Sequence, residues 1–232
     1  MGAVALVAGA AAALPAQAGD NNGDFMVRVL GTVVDPDTNT KSVTANGAAI
    51  AGADADVSTQ VIPALTLSYF LTNNWALELF CCFSKHAVDG KDSIAGLGEV
   101  ADTWIFPPVV TLQYHFDGLG AFKPYVGAGV QWIHFFNEGT GANALGATSV
   151  DLDDAFGLAL QAGVDLALGD GWYLNADVKK VWLDTDVTWN NTALGTVQAD
   201  VDLDPWIISA GVGYRFNIED LFGARSAPAP LK

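Results

Sequence analysis

Basic residues are scarce in this chain. Ten Lys and Arg stand against 26 Asp and Glu, a net charge of −16 over 232 residues. Nucleic acid needs a basic face for its phosphates, so no nucleic-acid partner is expected, and partners should be cationic or neutral. Cysteine is scarcer still. Cys81 and Cys82 are the only two, and neighbours in a strand point to opposite faces and cannot easily bridge, so they read as small apolar fillers. The histidines His86, His115 and His134 lie on separate segments without metal-ligand spacing, so neither a metal nor a cofactor is expected. Beyond residue 18 there is no apolar run of about 18 residues, which excludes a membrane-spanning helix.

Residues 1–18 are almost wholly apolar and end in Ala16-Gln17-Ala18, a small-residue cleavage pattern. They read as a secretory signal that is weak or continues upstream, since no Lys or Arg precedes the apolar run. Residues 19–216 form one domain. Residues 217–232, with Pro228 and Pro230, read as an unpacked periplasmic extension that has room for a brief helix at 218–222.

What the domain has in abundance is alternation. Trp206, Ile208, Ala210, Val212, Tyr214 and Phe216 share one face; Ser209, Gly211, Gly213 and Arg215 share the other. Apolar outside and small or polar inside suits a barrel wrapped by lipid, the reverse of a soluble barrel. Comparable runs lie at roughly 25–34, 57–71, 74–86, 104–116, 122–136, 152–168, 172–188 and 203–216. Eight is even, as an antiparallel closed barrel needs. The links at 72–74, 117–121 and 169–171 are tight and belong to the periplasmic side, whereas 35–56, 87–103, 137–151 and 189–202 are long and belong outside. The expected fold is all-β, an eight-stranded antiparallel transmembrane barrel. Its sixth run is long enough to project beyond the outer surface. In the seventh run a slip at Lys179 or Lys180 would keep Lys180 out of lipid and turn Trp182, Asp184 and Asp186 inward.

The alternation places Arg28, Lys179 and Arg215 inside with Glu78, Asp165 and Asp177. They read as a salt-bridged plug that closes the lower barrel, or else as a proton or ion path. Nearer the outer end, Leu30, Ile62, Phe80, Ile133, Phe135 and Trp182 face inward. Such a lining serves a hydrophobic ligand, or is the side-chain filling that a narrow barrel takes. Pro63 and the pair Pro107-Pro108 each remove a ladder donor and mark either a strand start above the lipid or a side opening in the wall. The loop aspartates Asp35, Asp37, Asp54, Asp56, Asp151, Asp153, Asp154, Asp184, Asp186, Asp200, Asp202 and Asp204 could bridge divalent cations to lipopolysaccharide, or are simply solvated, since none has EF-hand spacing. Ser84 or Ser68 could serve a Ser-His deacylase, but no base is placed beside either by the sequence.

Several motifs together resemble the OmpW family of small outer-membrane barrels: Phe25-Met26-Val27-Arg28, Asn74-Trp75-Ala76-Leu77-Glu78-Leu79, Phe106-Pro107-Pro108, Phe122-Lys123-Pro124-Tyr125-Val126-Gly127-Ala128-Gly129, Leu203-Asp204-Pro205-Trp206 and Gly213-Tyr214-Arg215-Phe216. The resemblance implies a narrow hydrophobic channel, closed toward the periplasm, that releases small apolar molecules sideways into the membrane. It implies a bulky gate at Phe80, with Lys179 where an aromatic partner would stand. It also implies a closing-strand signal at Tyr214 and Phe216, read by the barrel-assembly machinery. Outer-membrane lipid, lipopolysaccharide and small hydrophobic solutes are the expected partners. The work is expected to be physical rather than catalytic, in the outer membrane of a Gram-negative bacterium. The alternatives are a structural or adhesive barrel with a filled interior and binding loops, and a lipid-modifying enzyme.

Overall fold

The two-residue apolar period builds eight wall strands: β1 (Phe25–Asp35), β2 (Gln60–Phe70), β3 (Trp75–Cys82), β4 (Val109–His115), β5 (Phe122–Thr140), β6 (Ala155–Gly169), β7 (Trp172–Trp182) and β8 (Trp206–Phe216). This is a computed structural model, and it describes residues 24–142 and 144–217. The signal at 1–18, the short helix at 218–222 and all of the 217–232 extension except Asn217 lie outside the described residues. Each wall strand pairs antiparallel with its neighbour in sequence. The cylinder closes where β8 returns to β1, in unbroken register from Phe25↔Phe216 to Asp35↔Trp206. Closure pairs the backbone groups that an open edge would leave bare in hydrocarbon. The tight turn after β6 uses three left-handed residues, Gly169, Asp170 and Gly171, types that tolerate positive φ.

The outer face is apolar: Leu65, Leu79, Leu112, Leu158, Ile208 and Val212 are all exposed, as lipid contact requires. At the periplasmic rim Trp75 packs edge-on to Tyr114 at 5.0 Å, Phe25 lies 4.9 Å from Tyr69, and Trp172 lies 4.9 Å from Tyr214. These rings form the girdle that membrane barrels place at an interface.

The four long links are mostly sheet. Ser149–Leu152, Asp184–Thr192, Gly195–Asp202, Asn39–Ala45 and Ala48–Ala49 pair in that order. Ala53–Val57, Ser84–Asp92 and Glu99–Phe106 pair onto the outer half of β5. The wall therefore continues above the membrane around a second apolar core that includes Val100, Val187, Val197 and Trp189. The Trp189 indole donates to the Val100 carbonyl at 2.9 Å.

Two sequence expectations need correction. β7 has no slip at Lys179 or Lys180, since its ladder with β6 runs evenly from Leu158↔Trp182 to Ala167↔Tyr173 and shifts only at Gly169. Trp182 therefore faces outward, with 44% of its surface exposed, and Asp184 and Asp186 are exposed as well. Val181 and Leu183 take the inward places. The slip is unnecessary because Lys180 lies near the outer end of its strand, not at mid-membrane. Its ammonium reaches the Asp204 carbonyl at 2.5 Å and sits 5.0 Å from the Trp206 ring centroid, so an aliphatic stem crosses the apolar zone and the charge reaches polar partners.

Tyr214 is outward, 6.3 Å from Phe216, which lies 6.1 Å from Phe25 across the closing seam. Tyr214→Ala and Phe216→Ala should each lower the yield of folded barrel, with about 0.5–1.5 kcal/mol lost per ring contact. The measurement is the fraction of heat-modifiable protein in outer membranes; parental levels in both variants would contradict it.

Candidate functional site

Eight strands enclose a lumen narrow enough for side chains to fill, and the filling is layered. Lowest are Met26, Phe70, Ala76 and Tyr173. The Arg215 guanidinium lies 3.7 Å from the Phe70 ring centroid, one layer nearer the periplasm than the other inward charges.

Above this lies the ionic layer. Arg28 on β1 is 1% exposed. It donates through Nε and Nη2 to both oxygens of Asp165, at 3.0 and 2.6 Å, and through Nη1 to Glu78 at 2.9 Å and Ser68 at 2.7 Å. The planar fork suits this two-sided grip. Lys179 on β7 donates to Asp177 at 2.5 Å and lies 3.3 Å from Glu78. Neutral side chains fill the remaining positions. Gln161 donates to Glu78 at 2.9 Å and Asp177 at 2.7 Å, Tyr125 donates to Asp177 at 2.9 Å, and Asn175 donates to Asp165 at 2.9 Å. Gly163 leaves room for the Tyr125 ring, because a Cβ there would collide with the ring and its hydroxyl. Strands β1, β2, β3, β5, β6 and β7 are thus tied through the centre. Tyr125, Gln161 and Asn175 were missed by a reading that sought charge alone, although their inward phase was legible.

Higher again the filling becomes apolar. Leu30, Phe80, Val109, Val181 and Ile207 are buried together with Ile133 and Phe135, and Ile62 is half-buried against them. Phe80 lies on the boundary: its ring centroid is 4.8 Å from the Lys179 ammonium below. It forms a floor rather than a constriction, since the cavity begins one layer up, at Cys82, Ile133, Ile207 and Leu183. That cavity has a volume of about 130 Å³ and reaches Ile50, Leu97, Leu145 and Thr192 at the outer tips. An engineered apolar cavity of about 150 Å³ in another protein stays dry and takes benzene. Ile207 was missed although simple alternation from Ser209 turns it inward.

The wall beside the cavity is interrupted. The β3–β4 ladder ends at Phe80↔Val109, and pairing resumes at Ser84↔Ile105. The skipped residues are 81–83 on one side and 106–108 on the other. Pro107 is buried and lines the cavity, while Pro108 is half-buried. Pro63 faces outward, opposite Gly31, one residue past the end of the β2–β3 ladder at Ala64↔Cys82.

Ser84 and His86 do come together, with Oγ 3.0 Å from Nε2, and His86 Nδ1 meets the Ser58 carbonyl at 2.7 Å. Burial pushes this imidazole below its usual pKa, so the neutral ring donates from one nitrogen and accepts at the other. Both groups are buried inside the wall, not at the lipid edge. Ser68 instead accepts from Arg28. His115 stacks on Tyr125 at 4.8 Å, and His134 lies outside, 2.8 Å from Asp154. Several loop carboxylates are taken up by lysines: Lys41 meets Asp202 at 2.7 Å and Lys91 meets Asp56 at 2.8 Å.

This architecture has known counterparts. The OmpW family profile matches residues 21–216. The chain belongs to the OmpW family. It is 40% identical over 167 residues to the outer-membrane protein y4mB of Sinorhizobium fredii, covering 72% of this chain and 71% of that protein. It is 30% identical over 172 residues to the dibenzothiophene metabolism operon protein PahQ of Pseudomonas aeruginosa, covering 74% and 79%. The crystal structure of the outer membrane protein OprG from Pseudomonas aeruginosa superposes with a TM-score of 0.78 at 33% identity, covering 84% of this chain and 97% of that one. This OmpW-family protein is accordingly an outer-membrane barrel of a Gram-negative bacterium, surrounded by lipid.

The ionic layer makes a direct prediction. Glu78→Gln removes a carboxylate held by Arg28, Lys179 and Gln161, and breaking a buried pair costs about 3–5 kcal/mol. Thermal unfolding of the purified variant in detergent should occur well below that of the parent; coincident curves would refute a structural role for the network.

Proposed function

We infer that this barrel admits small hydrophobic molecules from outside into the apolar cavity and releases them sideways into the membrane. The observation that carries the reading is the cavity itself: about 130 Å³, walled by Val, Ile and Leu side chains, resting on Phe80 and then on an ionic layer. An apolar solute gains by leaving water for such a space. It gains nothing by continuing downward, because it would have to part charges already paired. The interrupted β3–β4 ladder at Pro107-Pro108 supports a lateral route. PahQ, by its name a protein of a dibenzothiophene metabolism operon, adds support for an apolar substrate class. The reading includes lipopolysaccharide around the extended wall, and recognition of the Tyr214 and Phe216 end by the assembly machinery.

The work proposed is physical, not catalytic. Among the described residues the Ser84–His86 contact is the feature that favours an enzyme, and it is accounted for by the need of a buried imidazole for two partners. The filled lower half favours a purely structural barrel, but the upper half is not filled.

Ile133→Glu sets a carboxylate on the cavity floor, where its ladder partner is Ala155 and no cation stands across from it to offset its desolvation. Uptake of a small apolar compound by cells lacking their own uptake barrel should fall by about tenfold or more, at matched levels of folded protein. Independently, in a Cys81→Ser background, the compound should slow labelling of Cys82 by an apolar thiol reagent. Unchanged uptake together with unprotected Cys82 would leave the structural barrel as the better account.

A further inference from the structure

The interrupted ladder is covered from the lipid side by rings. Phe83 and Phe106 occupy the gap from opposite edges, and their rings stack at 4.9 Å with planes 23° apart. Phe83 is 56% exposed. Phe136 meets Phe83 edge-on at 6.5 Å, Trp132 meets Phe106 edge-on at 6.4 Å, and Trp104 and Phe156 extend the patch by stacking on Phe136 and Trp132. An ordinary interfacial girdle runs around the whole circumference. Here the outer ends of β1 and β2 present Val33 and Val61 instead, and those of β7 and β8 a single Trp each, Trp182 and Trp206. The aromatic surface is gathered on the flank where the ladder is broken.

The wall at this point is one residue thick. Cys82 and Pro107 face the cavity, and their chain neighbours Phe83 and Phe106 face lipid. At this level the stacked rings take the place of backbone pairing, so parting them requires rotation about side-chain bonds and no breakage of the ladder. A solute leaving between them passes the faces and edges of Phe83 and Phe106. Flat aromatic molecules form offset-stacked and edge-to-face contacts there that a saturated chain of similar size cannot.

Resting on the lateral route argued above, we propose that Phe83 and Phe106 form the outer leaf of the exit and that the surrounding rings make it a binding site for flat aromatic hydrocarbons, selecting them over aliphatic ones.

The test compares naphthalene with n-octane in the same uptake assay. The Phe83→Leu/Phe106→Leu double variant keeps apolar bulk and removes ring faces. It should lower the naphthalene-to-octane uptake ratio by on the order of threefold, while Trp172→Leu in the periplasmic girdle leaves the ratio unchanged. Should the double variant assemble poorly, the single variants are read alone and should each lower the ratio in part. In the unaltered protein, a benzophenone probe should photolabel peptides holding Phe83 and Phe106, and naphthalene should suppress that labelling more than octane does. A ratio unchanged in the leucine variants overturns the proposal. If Ile133→Glu still lowers uptake in that case, the transport reading survives without it; if Ile133→Glu has no effect, the transport reading falls first.

Discussion

In hydrocarbon every backbone N–H and C=O must find a partner within the protein, and that demand shapes the whole molecule. It forces β8 back onto β1, with eleven paired positions from Phe25↔Phe216 to Asp35↔Trp206. Closing only eight strands leaves a lumen that side chains span. Whatever the inward phase of each strand carries must therefore pack against the inward phase of all the others. Arg28 shows the consequence: from one wall it reaches Asp165 on β6, Glu78 on β3 and Ser68 on β2. Arg28, Asp165 and Glu78 would each be costly alone at side-chain exposures of 1%, 2% and 1%, and together they satisfy one another.

The join between the ionic and apolar layers is made by Lys179. Two sides of its ammonium face Asp177 and Glu78, and the Phe80 ring, 4.8 Å away, takes another. A cation can end a polar network in this way because an aromatic face accepts positive charge. The upper face of that ring then continues into aliphatic side chains. The floor is thus polar-compatible below and apolar above, which explains why the empty space starts at Cys82 and not at Glu78.

Much of this was legible in one-dimensional form. Strict alternation gives the strand count, the outward Leu and Val residues and the inward phase of Arg28, Glu78, Asp165, Asp177 and Lys179. Alternation cannot give height, and that is where the reading of Trp182 failed. Placing Lys180 near mid-membrane made an extra residue look necessary, whereas its actual contact with Asp204 at the outer end removes the reason for a slip. The sheet above the membrane was hidden for a different reason. Segments such as Gly195–Asp202 are polar on the solvent side and read as loop, although Val197, Ala199 and Val201 face the upper core.

The break in the β3–β4 wall stands in apparent conflict with the demand for closure. The residues at the break resolve it. Three skipped positions on an ordinary strand would strand N–H groups beside lipid, each costing several kcal/mol. Pro107 and Pro108 have no N–H to strand. Their carbonyls are used by the next strand: the Pro108 oxygen accepts from the Trp132 amide at 3.1 Å and the Pro107 oxygen from the Gln131 side chain at 3.4 Å. On the opposite edge Cys81 and Cys82 remain paired with Leu65 and Ala64 of β2. The prolines are therefore less a defect in the ladder than the means by which a gap can exist inside a membrane. Of the donors that pairing across this gap would use, those at 107 and 108 are absent from the chain, so the proline edge leaves no N–H bare at these two positions.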